Sequence, residues 1–278
     1  MKLYMILFFV ASAVSAQMFG IQQIDHFSVT ITSDIKAMYV DKTENEKDYA
    51  LGGQTTYYYT TNKDNEVVTY SLDSLQVKTT VDQKITFQMS MDSAKVSSYR
   101  LRTDDIETVP VDQLPEGMKK QVQDSFSVPL FQRTGDEITI LAQEGAQNLL
   151  DNGLVQNLIL FHPTYKEETS WTVPCQISMG NGGYAKGDLT YEVSQKENFQ
   201  IVFSVKGTLQ PDLEKKPVSI KTGFYKVQGT HTYNVNTDTW VKGNLSIQVQ
   251  YVMNLDNAPY LQAKGMMDVT FQKNEEVE

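Results

Sequence analysis

Apolar and polar residues alternate along most of this chain. One such run covers residues 85–91, and another, residues 171–179, places Trp171, Val173 and Cys175 on one face. Further runs of the same kind lie at residues 199–205, 245–253 and 267–271. A period of two predicts strands with one buried and one solvated face. The chain is therefore predicted to be mainly β, with amphipathic antiparallel sheets arranged as a sandwich or an open barrel.

Short turn sequences separate these runs. Residues 133–136 read RTGD and predict a hairpin. Residues 180–183 read GNGG and predict a second hairpin loop. Two further strand connections are predicted at residues 234–238 and 256–259.

One segment breaks the two-residue period. In residues 143–161 the apolar positions recur at spacings of three and four, which predicts a bridging α-helix. The residues expected to face a sheet are Leu149, Leu150, Leu154 and Leu158. A shorter helical turn is predicted over residues 115–120. The bridging helix, with bounds of 143–162, separates a first β-rich half (17–142) from a second (163–278), and the two halves form either one sheet system or two domains.

The first sixteen residues predict an export signal. Lys2 supplies a positive charge, residues 3–14 form an apolar run, and Ser15 and Ala16 are the small residues of a cleavage site. The apolar run is well below the roughly 20 residues that a membrane span needs. We expect cleavage after Ala16 and a secreted or lumenal protein without a membrane span; the alternative is an apolar N-terminal strand.

The charge balance excludes one class of partner. The formal net charge is −10, and arginine occurs only at Arg100, Arg102 and Arg133. Binding of nucleic acid requires a cluster of cations that releases counterions from phosphate, so no nucleic-acid partner is expected. The same acidity argues against docking on anionic membranes. The sequence identifies no protein partner.

Cys175 is the single cysteine, so the chain cannot form an internal disulfide. It shares the apolar face of its strand with Trp171 and Ile177. We predict a buried, slowly reacting thiol rather than a nucleophile.

Two motifs fail the checks that their chemistry requires. Residues 180–185 have the glycine spacing of a dinucleotide-binding turn, but a strand pattern follows them where a helix is needed. Asn234, Asn236 and Asp238 are spaced like calcium ligands, but Thr239 replaces the required glycine and Leu245 replaces the glutamate. No metal site and no cofactor are predicted.

No motif in the chain identifies a reaction. The three histidines, His26, His162 and His231, are far apart in sequence, and neither a G-x-S-x-G elbow nor an H-E-x-x-H helix is present. We therefore predict no catalytic residues and no enzymatic activity. Because a triad is spatial, a hydrolase stays open as a third possibility.

Large, adaptable apolar side chains occupy the predicted strand faces. Methionine fills irregular space and tolerates varied ligands, so these faces are either an ordinary core or the lining of a site for an apolar ligand. The ligand-facing candidates are Met89, Met91, Phe199, Phe203, Tyr251, Met253, Leu154 and Leu158. Asn244 begins a glycosylation sequon and is expected to be exposed.

The order of elements resembles a known family. Residues 53–59 read GQTTYYY, amphipathic strands and the hairpin at Gly135 follow, and Cys175, Thr190 and Tyr191 are the nearest matches to a C-x-T-x-Y strand. Over most of residues 50–195 this resembles the N-terminal β-barrel of vitellogenin-type lipid-transfer proteins. The resemblance implies lipid binding or lipid transport.

A second resemblance is to uncharacterised β-rich domains of secreted bacterial proteins. It rests on Pro163, Trp171 and the TYEV strand at residues 190–193. This second resemblance implies a β-rich fold but assigns no function. Together the patterns favour a secreted, non-enzymatic protein that binds or carries a lipid or other apolar ligand between β-sheets. The alternative is a structural or interaction protein of an extracellular layer.

Overall fold

The computed structural model describes residues 23–40, 46–100, 103–126, 128–142, 146, 160, 162–180, 183–212, 219–255 and 258–274. The predicted signal peptide and nearly all of the predicted bridging helix lie outside these residues. The strands are β1 (Gln23–Val40), β2 (Glu46–Asp64), β3 (Val67–Val81), β4 (Lys84–Asp92), β5 (Lys95–Arg100), β6 (Asp105–Pro110), β7 (Phe131–Thr134), β8 (Glu137–Ile140), β9 (Ser170–Gly180), β10 (Gly183–Glu197), β11 (Gln200–Pro211), β12 (Ser219–Asn234), β13 (Thr239–Leu255) and β14 (Ala258–Asn274). A 3-10 turn, η1 (Val111–Gln113), and a helix, α1 (Glu116–Phe126), lie between β6 and β7.

All fourteen described strands belong to one antiparallel sheet. Its strand order is β6-β5-β4-β3-β2-β1-β14-β13-β12-β11-β10-β9, and the β7–β8 hairpin branches from β3. Pairing of β1 with β14, for example Val29 with Phe271, joins the first and last described strands. The mainly β, antiparallel fold is confirmed, and the described strands form one open sheet.

Alternation gives the sheet an inner and an outer face. In β11, Ile201, Phe203 and Val205 are buried, and the residues between them are less buried. In β1, Phe27 and Val29 are buried on the same inner face. The outer face carries mainly polar side chains, as the period of two predicts. The apolar core therefore lies on one side of a single sheet.

Glycines on the inner face allow neighbouring strands to approach closely. A Cβ at Gly207 would lie 2.3 Å from the carbonyl oxygen of Asp188, and one at Gly229 would lie 1.9 Å from that of Asn244. Glycine inside a strand is typical of a sharp bend or a close backbone approach. The sheet curves toward its inner face, and as a result β8 and β9 line opposite sides of one groove.

The predicted connections at residues 133–136 and 234–238 agree with the structure, and those at 180–183 and 256–259 lie partly outside the described residues. Gly135 has a φ of +58° in the β7–β8 turn. The short helical turn is present and longer than predicted, because α1 continues to Phe126. Burial of Val122 and an ion pair between Lys120 and Asp124 stabilise the added turns.

In the described part of the chain, no helix is both long enough and apolar enough to cross a membrane.

Candidate functional site

A short segment crosses the inner face of the curved sheet. We call Leu160 and residues 162–165 the strap. The indole Nε1 of Trp240 donates a hydrogen bond of 2.7 Å to the carbonyl oxygen of Pro163. The hydroxyl of Thr164 donates to the Gly135 carbonyl at 3.1 Å. The strap is thus held between β13, in the C-terminal half of the sheet, and the β7–β8 hairpin.

His162 is the most enclosed polar side chain of the strap. Its Nε2 hydrogen-bonds to the hydroxyl of Tyr59 at 2.5 Å. Four aromatic rings surround the imidazole with centroid distances of 5.0 to 5.8 Å: Phe27, Tyr59, Tyr70 and Phe271. Burial, and then the charge of Arg133, hold the pKa of His162 well below its usual value. The imidazole is therefore neutral and binds the strap to β2.

Tyr165 anchors the other end of the strap. Its ring stacks on Tyr233 of β12 with a centroid distance of 4.1 Å. It also meets the rings of Trp171 and Phe203 edge-on, at 6.4 and 6.2 Å. Aromatic pairs at these distances stabilise packing beyond the area they bury. The strap therefore links strands from both halves of the sheet through one aromatic core.

An apolar groove separates the hairpin from the last strand of the sheet. This seam groove has a volume of about 310 Å³. Its apolar lining includes Ile138, Ile140, Leu160, Val173, Cys175 and Leu189. Among the described strands, β8 pairs only with β7, and β9 pairs only with β10. The groove therefore lies between two strand edges that carry no neighbouring strand.

Cys175 lies on the wall of the seam groove. It is a free, half-buried thiol on the inner face of β9, opposite Gly187 of β10. Burial raises the pKa of this thiol to about 12. The neighbouring Tyr191 hydroxyl is also buried, and burial raises its pKa. Both groups keep their protons at neutral pH, as the sequence analysis expects for the cysteine.

A second cavity is also lined by residues of the strap. This mouth cavity also has a volume of about 310 Å³, and Pro163 lines both spaces. Its charged lining residues are Asp25, Lys63, Glu66, Arg133 and Asp238. Lys63 pairs with Asp238, which also accepts a hydrogen bond from the Tyr233 hydroxyl. Asp25 pairs with Lys273 at 2.5 Å. The two spaces thus differ in chemistry, one apolar and one charged.

The predicted ligand-facing residues divide into three groups. Met89 and Met91 lie half-buried on the inner face of β4, Phe203 is fully buried in the core, and Tyr251 lies half-buried on β13. For Met253 the structure describes only its place in β13. Leu154 and Leu158 lie outside the described residues. None of the four residues with described inner-face side chains lines the seam groove, and the ligand role of all these residues stays a prediction.

Phe199 does not belong to the inner face, contrary to the alternation on which it was chosen. Its side chain is 58% exposed. Asn198 has a φ of +48° in the turn after β10, and β11 begins only at Gln200. The chain reverses direction there, so the period of two does not extend back to Phe199.

The residues that line the groove had weak sequence signals. Ile138 and Leu189 each lie in an alternating run, but these runs contain few large apolar residues. Leu160 lies at the end of the leucine-rich segment. Nothing local indicates that β8 and β9, which are separated in sequence by residues 141–169, line the same groove.

Two other sequence expectations concern the outer surface. Asn244 is exposed on β13, opposite Thr230 and Thr270. In the β12–β13 turn, the side-chain oxygen of Asn234 accepts a hydrogen bond from the backbone N–H of Asn236 at 3.0 Å. Among the described residues, no three His, Cys, Asp or Glu side chains are placed to hold a metal ion.

Comparison with known proteins gives matches of structure alone. The chain matches no protein-family profile and no curated protein sequence. A solved structure of lipovitellin, which concerns lipid–protein interactions in that protein, aligns with a TM-score of 0.48 and 11% identity. The alignment covers 92% of this chain and 26% of the lipovitellin chain, so this chain spans about a quarter of that protein.

A second solved structure is that of a LolA superfamily protein from Nitrosomonas europaea. It aligns with a TM-score of 0.17 and 9% identity, over 91% of this chain and 87% of that chain. The lipovitellin match agrees with the weak resemblance to vitellogenin-type proteins that the sequence indicates.

Proposed function

We propose that this protein binds a lipid or another apolar ligand in the seam groove. The observation that carries the proposal is an apolar space of about 310 Å³ between two strand edges that pair with no further described strand. Ligand pockets typically measure about 300–1,000 Å³ and are lined mainly by apolar side chains with a few polar groups. Ordinary protein cores leave few voids larger than a water molecule.

The groove is open to solvent at its β8 side. The Ile140 side chain is 50% exposed there, and Leu141 beside it is 40% exposed. Apolar side chains exposed at the rim of an apolar space are typical of a binding groove. A ligand can therefore reach the groove without separation of paired strands.

The chemistry of the lining supports binding rather than catalysis. Cys175 is the thiol on the groove wall, and its raised pKa of about 12 keeps it protonated at neutral pH. Tyr191 and Gln176 supply polar groups that orient a ligand by hydrogen bonding. An amphipathic site of this kind requires no nucleophile.

The proposal includes export of the protein and cleavage after Ala16. Support comes from the charge, apolar run and small residues of the first sixteen positions. Asn244, on the outer face, would then be accessible for glycosylation. The two β-rich halves, at residues 17–142 and 163–278, would act as one binding unit.

The test replaces an exposed isoleucine at the groove with a charge. The two tryptophans of the chain, Trp171 and Trp240, report binding through quenching by a brominated dodecanol. Trp171 stacks on the groove residue Tyr191 at 5.3 Å. Ile140→Arg should weaken binding about tenfold or more, because an unpaired charge is unfavourable in an apolar site.

The matched control is Ile106→Arg. Ile106 is 52% exposed, close to the 50% of Ile140, and lies on the opposite edge strand, β6. This variant should bind the probe as the wild type does, with an unchanged melting temperature in both variants. Absence of saturable quenching in the wild type, or equal losses in the two variants, would contradict the proposal.

A further inference from the structure

Arg133 lies directly beside the apolar groove. In the β7–β8 hairpin it is paired with Ile138, a residue of the groove lining. Directly paired residues of antiparallel strands have Cβ atoms roughly 4.5–5.5 Å apart on the same face. Phe131, two residues earlier on that face, is buried and stacks on Tyr70 at 4.3 Å. Arg133 therefore faces the core side of the hairpin, where it lines the mouth cavity.

Arg133 is a cation without a counterion in the described structure. The other basic residue of the mouth cavity, Lys63, pairs with Asp238. Asp25 is already occupied by Lys273 and by the amide of Gln23. Among the described residues, none forms an ion pair or a side-chain hydrogen bond with the half-buried Arg133. Its positive charge acts to lower the pKa values of the nearby His162 and Tyr70.

The apolar groove and this cation are adjacent along the β7–β8 hairpin. Pro163 of the strap lines both the seam groove and the mouth cavity. Along the hairpin, Ile140 and Ile138 of the groove are followed by Gly135 and Arg133 of the cavity. A molecule that lies along the hairpin would meet two apolar side chains first and a guanidinium next.

We propose that the ligand is an amphipathic anion, with its apolar tail in the seam groove and a carboxylate or phosphate head against Arg133. This inference rests on the proposed function and gives the ligand its chemical class. The planar guanidinium offers several N–H donors in a geometry that matches carboxylate and phosphate oxygens. The anionic head also supplies the counterion that the described residues do not.

Glu66 allows an independent test of the same site. It is exposed on the β2–β3 turn, lines the mouth cavity and is not paired with Arg133. Its carboxylate repels an anionic head across the cavity. Glu66→Gln should therefore strengthen binding of an anionic ligand and leave binding of a neutral one unchanged.

The experiment compares two probes on the full chain. Brominated dodecanoate and the matching brominated dodecanol share a tail and differ in the charge of the head. Tryptophan quenching should show that wild type prefers the carboxylate by about ten- to hundred-fold, as expected for hydrogen bonds to a charged group. Arg133→Gln should remove this preference without changing affinity for the alcohol. Arg133→Lys should retain part of it.

The matched control is Arg100→Gln. Arg100 pairs with Glu107 at the opposite edge of the sheet, so its loss should leave the preference intact. A preference that persists in Arg133→Gln overturns the inference while the proposed function stands. Wild type that binds neither probe overturns the proposed function itself. Should inorganic phosphate displace dodecanoate as effectively as dodecanoate displaces its own brominated form, the site binds a free anion and the amphipathic ligand is excluded.

Discussion

The two outer edges of the sheet differ in their chemistry. At the β6 edge, Arg100 pairs with Glu107, and the hydroxyls of Ser97 and Thr108 are hydrogen-bonded at 2.8 Å. At the β9 edge, the inner-face residues are Trp171, Val173, Cys175 and Ile177. The first edge carries charged and hydroxyl pairs; the second is apolar on its inner face and borders the seam groove, which residues of the β7–β8 hairpin also line.

This difference shows how a single sheet can protect both edges against strand addition and keep one of them apolar for a ligand. An unpaired edge invites association with further strands, and natural proteins counter this with charges, short strands or proline. The β6 edge has charges. The β9 edge has Pro174, which lacks the N–H that a new strand would require. With strand addition disfavoured, the apolar side of β9 is free to bind a ligand.

The largest expected contrast is in stability. Trp171→Ala should lower the free energy of unfolding by about 3–5 kcal/mol, because Trp171 is buried against Tyr191 and Phe203. Ile106→Ala on the β6 edge should change it by less than about 0.5 kcal/mol. Urea unfolding followed by circular dichroism measures both. Equal losses would mean that the two edges carry the same share of the core.

Acid should destabilise the fold mainly through two buried histidines, His162 of the strap and His231 of β12. Burial lowers the pKa of His231 to about 3, and the pKa of His162 is also lowered. A histidine whose pKa is depressed in the folded state takes up its proton on unfolding, so stability is complete above about pH 6.5 and falls below it. Each histidine should contribute a loss of roughly 1.4 kcal/mol per pH unit, or about 2–4 kcal/mol for both at pH 5.

The test variant for this prediction is His162→Asn, and its matched control is His26→Asn. Removing the buried His162 should reduce the slope of unfolding free energy between pH 5 and pH 7. Removing His26, which is exposed on β1, is the control for loss of a surface imidazole. Carboxylates titrate mostly below this range, so they do not obscure the difference. If the unfolding free energy of His162→Asn depended on pH as that of the wild type does, protonation of His162 would not be a cause of the acid destabilisation.

The smallest expected effect on stability concerns the thiol of the β9 edge. With a pKa of about 12, Cys175 should react with thiol reagents on the order of a thousandfold more slowly than an unperturbed cysteine at pH 8. Ser98→Cys, at the opposite edge and in a Cys175→Ser background, is the comparison. Cys175→Ser should itself destabilise the fold by roughly 1–3 kcal/mol. Fast labelling of the native protein would place Cys175 in solvent.

The sequence predicts local structure well because local structure depends on short-range patterns. The alternation in β4, β9 and β13 and the turn at Gly135 are visible without any long-range information. The strands are nevertheless much longer than those runs, since β2 extends over 19 residues. The first half of β2 carries glycine, lysine and acidic residues, so apolar and polar residues do not alternate there and the strand pattern is absent from the sequence.

The site depends on long-range pairing and could not be predicted in the same way. His162 looks like an isolated histidine until Tyr59, 103 positions earlier, meets it. Arg133 is one charged residue among many until its pairing with Ile138 and its position in the mouth cavity are known. Such contacts follow from the order and curvature of the strands.

Pairing of β1 with β14 has a consequence for how this chain is made. β1 is the first described strand to leave the ribosome, and the strand that completes its pairing is the last. Throughout synthesis one edge of β1 therefore has no partner from this chain, although β2 can form its hairpin with β1 early. Long-range pairing of this kind slows folding and leaves aggregation-prone edges exposed. Truncation after β13 would leave a chain with a permanent open edge in the middle of the sheet.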